Sequence, residues 1–449
     1  MLLYKPNIQY NVLFVLCDQL RHDSVGYINP LVSTPNIDKL ATQSFQFTNN
    51  FVQSPQCCPS RASILSGSYP NSIKMWWNDS KFEPDSPTLG QIFKGAGYQT
   101  AYFGKWHLQG NSNPNQMASH HGFDTNYLYN NWKSEYKHTD SYKEFMESFE
   151  CKGLIGAKEH PEKHHDTIMT DKAIDYINRS GEFRDILRSG GNSFTLLSYH
   201  GPHAPYSAPQ KYLDIYDDSK LLELANFSKT KVHSRFVLDK SEWSDLRRRY
   251  YGCISWIDDH IGRLLNSCDL SNTIVVLTSD HGDILGEHQL WDKGLYAYDP
   301  VVRTPLLIKV PGMASKIYDG LTESVDLFST LLSVNNLHGT IYNRNDLVSL
   351  ASNQLPGKEF VFSCIGKYQP RVRMVRTKEF KYWWGFTEPG CMEYLFDLKK
   401  DPQESNNLFN QLAELCKRKH NQSQFFNRYY ENLSQMRQLL IKAMIYSES

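Results

Sequence analysis

Tyr10-Asn11-Val12-Leu13-Phe14-Val15-Leu16-Cys17-Asp18 is a short, continuous apolar run closed by a carboxylate. This is the pattern of a strand buried on both faces of a parallel sheet, with polar chemistry beginning where the strand ends. Runs of the same kind recur at Phe194 to Tyr199, Thr273 to Ser279 and Leu306 to Val310, and the segments between them include patterns with helical spacing. The alternation predicts an α/β fold around a large, mostly parallel sheet flanked by helices. Ligands of such sheets sit beyond the carboxyl ends of the strands. Asp18, His200 to His203 and Asp280 to Asp283 all fall at such ends, so three strand ends nominate one location.

Working outward, Thr34 reads as the N-cap of a helix with Pro35 at its first position, and Ser86-Pro87-Thr88-Leu89 opens another that Gly95 and Gly97 end before a strand at Thr100 to Phe103. From about Phe360 the pattern changes. Val361 to Cys364, Arg371 to Thr377, Lys381 to Trp384 and Tyr394 to Leu398 are short alternating segments that predict a small antiparallel sheet, followed by a helix over Gln411 to Ile445. The expected division is a catalytic α/β domain over residues 1–355 and a C-terminal subdomain over residues 356–449. Asn111 to Glu162, rich in His, Asn, Tyr and Lys, reads as an insertion near the site.

Composition removes several classes of function. Forty-eight Lys and Arg balance 48 Asp and Glu over 449 residues, so no global field gathers nucleic acid or an anionic membrane. A 40% hydrophobic and 13% aromatic content describes a globular chain. The run Val12 to Cys17 is far shorter than the ~20 residues of a spanning helix, and no small-residue cleavage site follows it. Nine scattered cysteines, one adjacent pair among them, favour a reducing compartment, and the expectation is a cytoplasmic protein. In its absence of a secretory signal, the triplet Asn226-Phe227-Ser228 reads as a chance match to a glycosylation acceptor.

The chemistry is concentrated in Cys57-Cys58-Pro59-Ser60-Arg61-Ala62-Ser63-Ile64-Leu65-Ser66-Gly67. An adjacent cysteine pair alone is a buried structural pair, since neighbouring thiols lack the spacing of a zinc site. Pro59 suits a helix start and places Cys57 at a helix N-terminus, where free N–H groups and the dipole attract an anionic ester. The whole segment resembles the signature of type I sulfatases, in the alkaline phosphatase superfamily, in which the first cysteine is oxidised after translation to Cα-formylglycine. The resemblance implies the alkaline-phosphatase-like fold, a formylglycine-generating enzyme as maturation partner and no catalytic role for Cys58. It also implies that the hydrated aldehyde derived from Cys57 carries one hydroxyl to attack sulfur and a second whose deprotonation expels sulfate, with Arg61 holding the modified side chain.

The accessory motifs follow in family order along almost the whole chain. Asp18 with Gln19, and Asp280 with His281, look like the two metal-binding segments, Gln19 standing where many sulfatases have a second Asp. With an oxygen of modified Cys57 they imply a site for a hard divalent cation, calcium first, with manganese or magnesium also open. Gly104-Lys105-Trp106-His107-Leu108 resembles the segment whose lysine bridges a sulfate oxygen and the nucleophile, and whose histidine accepts the gem-diol proton. His203 in Pro202-His203-Ala204-Pro205 and Lys293 in Trp291-Asp292-Lys293-Gly294 match the groups that stabilise or protonate the leaving oxygen. Asn78, beside Trp76 and Trp77, is the candidate substrate contact, and His200 reads as structural.

The resulting reading is a sulfuric ester hydrolase acting on a small-molecule or saccharide sulfate. A phosphonate monoester or phosphodiester hydrolase using the same nucleophile is the nearest alternative: Lys105 and His107 favour sulfate, whereas Gln19 and His281 also occur in that branch. A catalytically silent binding protein of the same fold, with Cys57 unmodified, is the alternative from another class.

Overall fold

The computed structural model describes residues 9–138, 143, 161–178, 191–223, 240–337, 346–367, 371–387, 390–417 and 424–448. The strands are, in chain order, β1 (Asn11–Asp18), β2 (Phe45–Phe47), β3 (Asn50–Phe51), β4 (Gln99–Gly104), β5 (Thr125–Leu128), β6 (Ser193–Pro202), β7 (Thr273–Ser279), β8 (Ile284–Leu285) and β9 (Trp291–Asp292). They continue as β10 (Arg303–Thr304), β11 (Leu306–Lys309), β12 (Lys316–Tyr318), β13 (Thr322–Glu323), β14 (Val361–Ile365), β15 (Val372–Arg376), β16 (Phe380–Thr387) and β17 (Gly390–Asp397).

The opening apolar run is β1, inside an eight-stranded sheet of order β12-β2-β11-β7-β1-β6-β4-β5. β1 pairs in parallel with β6 and β7, and β4 in parallel with β6 and β5. Alternate residues of β1 supply two cores. Leu13, Val15 and Cys17 join the layer that contains Trp256, Ile257 and Ile261 of the helix Lys240–Asn266. Val12, Phe14 and Leu16 join the layer that contains Ala62 and Leu65 of the helix Cys57–Ser66 and Phe328 and Leu331 of the helix Leu327–Val334. Burial on both faces is why the run shows no polar alternation, each such side chain contributing about 1.5–3 kcal/mol.

Three details differ from the sequence reading. The run at Leu306 forms β11, but antiparallel to β7, so the sheet is mixed on that side. Part of the Asn111 to Glu162 segment is sheet: β5 extends the edge beside β4, and the helix Tyr129–Tyr136 follows it, while residues 139–142 and 144–160 lie outside the described residues. Thr34 does not cap the helix Pro35–Ala41 with its side chain. Its hydroxyl donates to Asp38 at 2.8 Å, and Asp258, from the helix Lys240–Asn266, accepts the amides of Asn36 at 3.1 Å and Ile37 at 2.7 Å. A carboxylate distant in sequence is a stronger partner for those free amides than a local hydroxyl. The helix at Thr88 agrees with expectation, its threonine and Gln91 forming a capping box.

The second sheet, β14-β15-β16-β17, is antiparallel throughout. Phe362, Val375, Tyr382 and Leu395 on one face pack against the terminal helices, and Val361, Met374, Trp383 and Phe396 on the other pack with Phe51, Ile284 and Tyr298 of the larger unit. The expected single terminal helix is described as two, Leu408–Lys417 and Gln424–Glu448, with the residues between outside the described set. Among the described residues every cysteine is free, and no helix is long and apolar enough to cross a membrane. Asn226, Phe227 and Ser228 lie outside the described residues.

Candidate active site

The ends of β1, β6 and β7 meet at one edge. His203 N donates to the Asp18 carbonyl at 3.1 Å, Gln19 N to Asp280 Oδ1 at 3.0 Å and Leu20 N to Ser279 Oγ at 2.8 Å. Beside this edge starts the helix Cys57–Ser66, with extended Gln56 as N-cap and left-handed Gly67 (φ 65°) closing it. A side chain on Gly67 would strike the Phe328 ring at 2.7 Å, so glycine is required both for the turn and for the packing that holds the helix. Gly104 is the other obligatory glycine: its φ is 100°, and a Cβ would lie 1.9 Å from the Ser198 carbonyl. That contact lets the chain leave β4 with Lys105 N bonded to the same carbonyl at 2.9 Å.

The helix start delivers Cys57 into a buried group of donors. Its Sγ lies 3.2 Å from His281 Nε2, 3.7 Å from Asp18 Oδ1 and 3.8 Å from Lys105 Nζ, and His107 hydrogen-bonds the thiol. Burial alone would raise this thiol, but Lys105, Lys293 and His281 outweigh it and hold it well below its ordinary value. Lys105 also pairs with Asp18. Cys58 faces away, its Sγ 2.6 Å from the His107 carbonyl, and burial pushes its thiol up to about 12.

Arg61, expected to hold the modified side chain of Cys57, braces the carboxylates around that residue. Fully buried, it donates from Nε to Asp280 Oδ2 at 2.8 Å, from one terminal nitrogen to Asp18 Oδ2 at 3.2 Å, and from the other to Ser198 Oγ and the Lys105 carbonyl, both at 2.7 Å. A rigid guanidinium one turn into the helix thereby fixes two strand-end carboxylates and the Lys105 turn together. Burial and Cys57 act to raise Asp18, yet Lys105, His203 and Arg61 hold it down to about 2. Burial and the proximity of Asp18 raise Asp280.

The donor set fits a divalent cation. Ligand atoms of Asp18, Cys57, Asp280 and His281 all lie within 4.8 Å of one another, in full burial. The Nδ1 of His281 donates to the Gly282 carbonyl at 2.8 Å, which leaves Nε2 turned into the cluster. Burial would lower His281, but Asp280 and Cys57 push it up to about 9; the potential that retains a proton there also favours a dication. Gln19 stands at the edge of this group, its Oε1 accepting from Lys293 Nζ at 2.6 Å and its Nε2 donating to Asp283 at 2.7 Å and Asp292 at 2.8 Å.

The remaining candidates are nearby. Asn78 Oδ1 accepts the first-turn amide of Cys58 at 3.0 Å, a tie that anchors the Trp76-Trp77 loop to the helix Cys57–Ser66. His203 is turned by a 2.6 Å contact between Nδ1 and the Ala204 carbonyl, and its charge acts on Asp18. His200 stacks on Tyr129, and its amide and that of Gly201 are accepted by Asp166 at 2.9 and 3.1 Å. Sequence reasoning placed Asp283 at the strand end without a role and assigned nothing to Asp166, Ser198 or Asp292. Asp283 and Asp292 stood two residues and one residue from assigned positions; Asp166 and Ser198 carry no local signal.

Comparisons with known proteins identify the family. A family model described as sulfatase matches residues 10–337, and one described as N-sulphoglucosamine sulphohydrolase, C-terminal, matches residues 286–428. The chain is 31% identical to an ulvan-active sulfatase of Formosa agariphila, covering 90% of this chain and 77% of that one. It is 27% identical to an arylsulfatase of Clostridium perfringens, covering 97% and 94%. A crystal structure of a phosphonate monoester hydrolase of Agrobacterium radiobacter superposes with a TM-score of 0.73 over 96% of both chains at 20% identity, a likeness of fold.

Proposed function

The chain belongs to the sulfatase family and is a sulfuric ester hydrolase, and from that premise we propose that Cys57, matured to formylglycine, is its nucleophile and that calcium occupies the strand-end cluster. The observation that carries the reading is the placement of Cys57 Sγ at a helix start within 3.8 Å of Lys105 Nζ, His281 Nε2 and Asp18 Oδ1. Asp18, Asp280 and His281 would hold the cation, with Gln19 Oε1 as the fourth protein donor. When bound, the cation supplies Lewis-acid charge to the oxygens of the ester. Formylglycine supplies a hydrated aldehyde, a nucleophile that can also release its product.

The chain's own residues do the rest. Lys105 and Lys293 place two ammonium groups around Cys57 and offset the negative charge of a sulfate there. His107, bonded to the Cys57 side chain, is placed to take a proton from it. His203 and Lys293 serve the departing oxygen. Arg61 makes no contact with the ester in this scheme and works as the brace between Asp18 and Asp280. The substrate is a sulfate ester of a saccharide or a small alcohol, held in part by Asn78 and the Trp76-Trp77 loop. Residues 356–449 form the subdomain that closes the cleft.

Peptide mass spectrometry of an active preparation should show loss of thiol mass at Cys57 with Cys58 unchanged. On that protein an aryl sulfate should turn over faster than an aryl phosphonate monoester. The reverse preference would make it a phosphonate hydrolase, a branch in which Gln19 and His281 also occur, and an unmodified Cys57 in an inactive protein would make it a binding protein.

A further inference from the structure

The side-chain amide of Gln19 is oriented by its surroundings. Its Nε2 sits 2.7 Å from Asp283 Oδ2 and 2.8 Å from Asp292 Oδ1, while Oε1 is 2.6 Å from Lys293 Nζ. Turning the amide over would set its oxygen against two carboxylates and its NH2 against an ammonium, so only one orientation is compatible with the neighbours. The backbone contributes as well: Gln19 and Asp292 have φ of 71° and 63°, a region that glycine favours and other residues rarely enter. Asp283 is fully buried, also accepts the Tyr206 hydroxyl, and has no partner for its Oδ1 among the described residues. Asp292 Oδ1 has Lys293 Nζ at 3.3 Å, but a buried carboxylate short of donors beside a second carboxylate still requires a donor, not another acceptor, between them. A carboxylate at position 19 would instead bring three acids together.

We propose that Asp283 and Asp292 are positioning residues that clamp the Gln19 amide, select glutamine over an acidic residue at position 19, and present Oε1 to the divalent cation and to Lys293. The proposal rests on the reading of this cluster as a cation site. It explains why the position that many sulfatases give to a second aspartate is filled by a neutral side chain here: the missing charge sits one shell further out, on Asp283 and Asp292. It also couples the cation site to the lysine proposed for the leaving oxygen through one shared carbonyl.

Gln19→Glu keeps the side-chain shape and adds a charge to the cation site. If ligand charge alone set the affinity, calcium would bind this variant more tightly. The clamp requires the opposite, because the new carboxylate faces Asp283 and Asp292. Isothermal titration of calcium chloride into the full-length, chelator-stripped protein distinguishes the two without any substrate. The expected result is a loss of roughly tenfold or more in affinity for Gln19→Glu. Most of that loss should be recovered when Asp283→Asn and Asp292→Asn are added, since two amides can turn donors toward Glu. A Gln19→Glu protein that folds only with the two Asn substitutions supports the same repulsion. Tighter calcium binding by Gln19→Glu overturns the clamp, and so does failure of the added Asn pair to restore either binding or folding. A parent protein that takes up neither calcium, magnesium nor manganese removes the cation reading itself, whereas a parent that binds while every variant binds alike removes only the clamp.

Discussion

Two buried ionic clusters in this molecule use the same side-chain chemistry, and only one of them is built like a catalytic site. At the strand ends, Asp18 and Asp280 share Arg61, and Lys105 pairs with Asp18. At the junction with the C-terminal sheet, Asp299 and Glu404 share Lys381, whose Nζ is 2.7 Å from each, and Arg376 joins Asp299 at 3.4 Å. In both clusters one acid is held low and the other is raised. Burial would raise Asp299, but Arg376, Lys381 and Arg303 hold it well below the carboxylate range, while burial, opposed by Lys381, pushes Glu404 up to about 7. Asp18 and Asp280 divide in the same way. A perturbed pair of carboxylates therefore does not mark the site, because burial with a shared cation produces it in a purely structural joint as well. What separates the clusters is the presence of further donors: His281 Nε2 and Cys57 Sγ converge with Asp18 and Asp280 within 4.8 Å, and among the described residues no such group forms at the junction.

Reciprocal substitutions put that distinction at risk. Asp280→Asn keeps its shape and should lower turnover of an aryl sulfate by about a thousandfold or more while leaving the circular dichroism spectrum and unfolding midpoint close to those of the parent. A variant that instead unfolds would place the strand-end cluster with the junction as a structural joint. Lys381→Met leaves Asp299 and Glu404 without the ammonium they share and should reduce unfolding free energy by about 3–5 kcal/mol in urea. Turnover per folded molecule should be retained, and a specific loss of turnover at unchanged stability would mean that the joint takes part in the chemistry.

The fold was legible where burial leaves a one-dimensional trace. β1 and β7 are continuous apolar runs because both faces of the sheet are covered, and their ends, Asp18 and Asp280, could be read directly as positions at one edge. Cys57 was legible through the resemblance of its segment to the sulfatase signature, in which Pro59 and Arg61 follow the cysteine at fixed offsets; residues alone gave only a helix start. Three-dimensional choices left no such trace. The partners of Arg61 lie 43, 44, 137 and 219 residues away, so its role as a brace followed only from the structure. The direction of Gln19 depends on a positive φ that its residue type does not announce. The antiparallel course of β11 depends on its pairing with β7, since an apolar run reads alike in either direction.

Within the site, the comparison sharpens into a question of leaving groups. If His203 serves the departing oxygen, His203→Ala should lower the rate on alkyl or sugar sulfates by about a hundredfold, and an activated aryl sulfate, whose phenolate needs little protonation, should lose much less. A series of aryl sulfates of graded phenol pKa would then show a steeper dependence for the variant than for the parent. Equal losses across the series would reduce His203 to an anion-binding group comparable with Lys105.

A smaller effect comes from a buried titratable group outside both clusters. His121 lies behind the Lys105 turn, tilted against Phe82 at 4.8 Å and stacked on Trp106 at 5.9 Å, with Nε2 3.0 Å from the Phe82 carbonyl. A carbonyl only accepts, so Nε2 carries the proton and Nδ1 is bare in the neutral ring. Burial, opposed by the Phe82 carbonyl and Glu83, pushes His121 down to about 4. The folded state thus disfavours the protonated ring, and the stabilising contribution is fully present above the ordinary histidine value of about 6.5. As pH falls from about 6.5 towards 4, the unfolded chain takes up a proton that the folded chain refuses, and stability declines. Gln mimics the Nε2 donor without titrating, so His121→Gln should flatten this part of the stability curve, by on the order of 2 kcal/mol between pH 7.5 and 4.5 relative to the parent in urea titrations. An identical slope in both proteins would show that the ring gains its proton in the folded state without cost, and that burial at His121 resembles the paired charge of the clusters more than an isolated neutral ring.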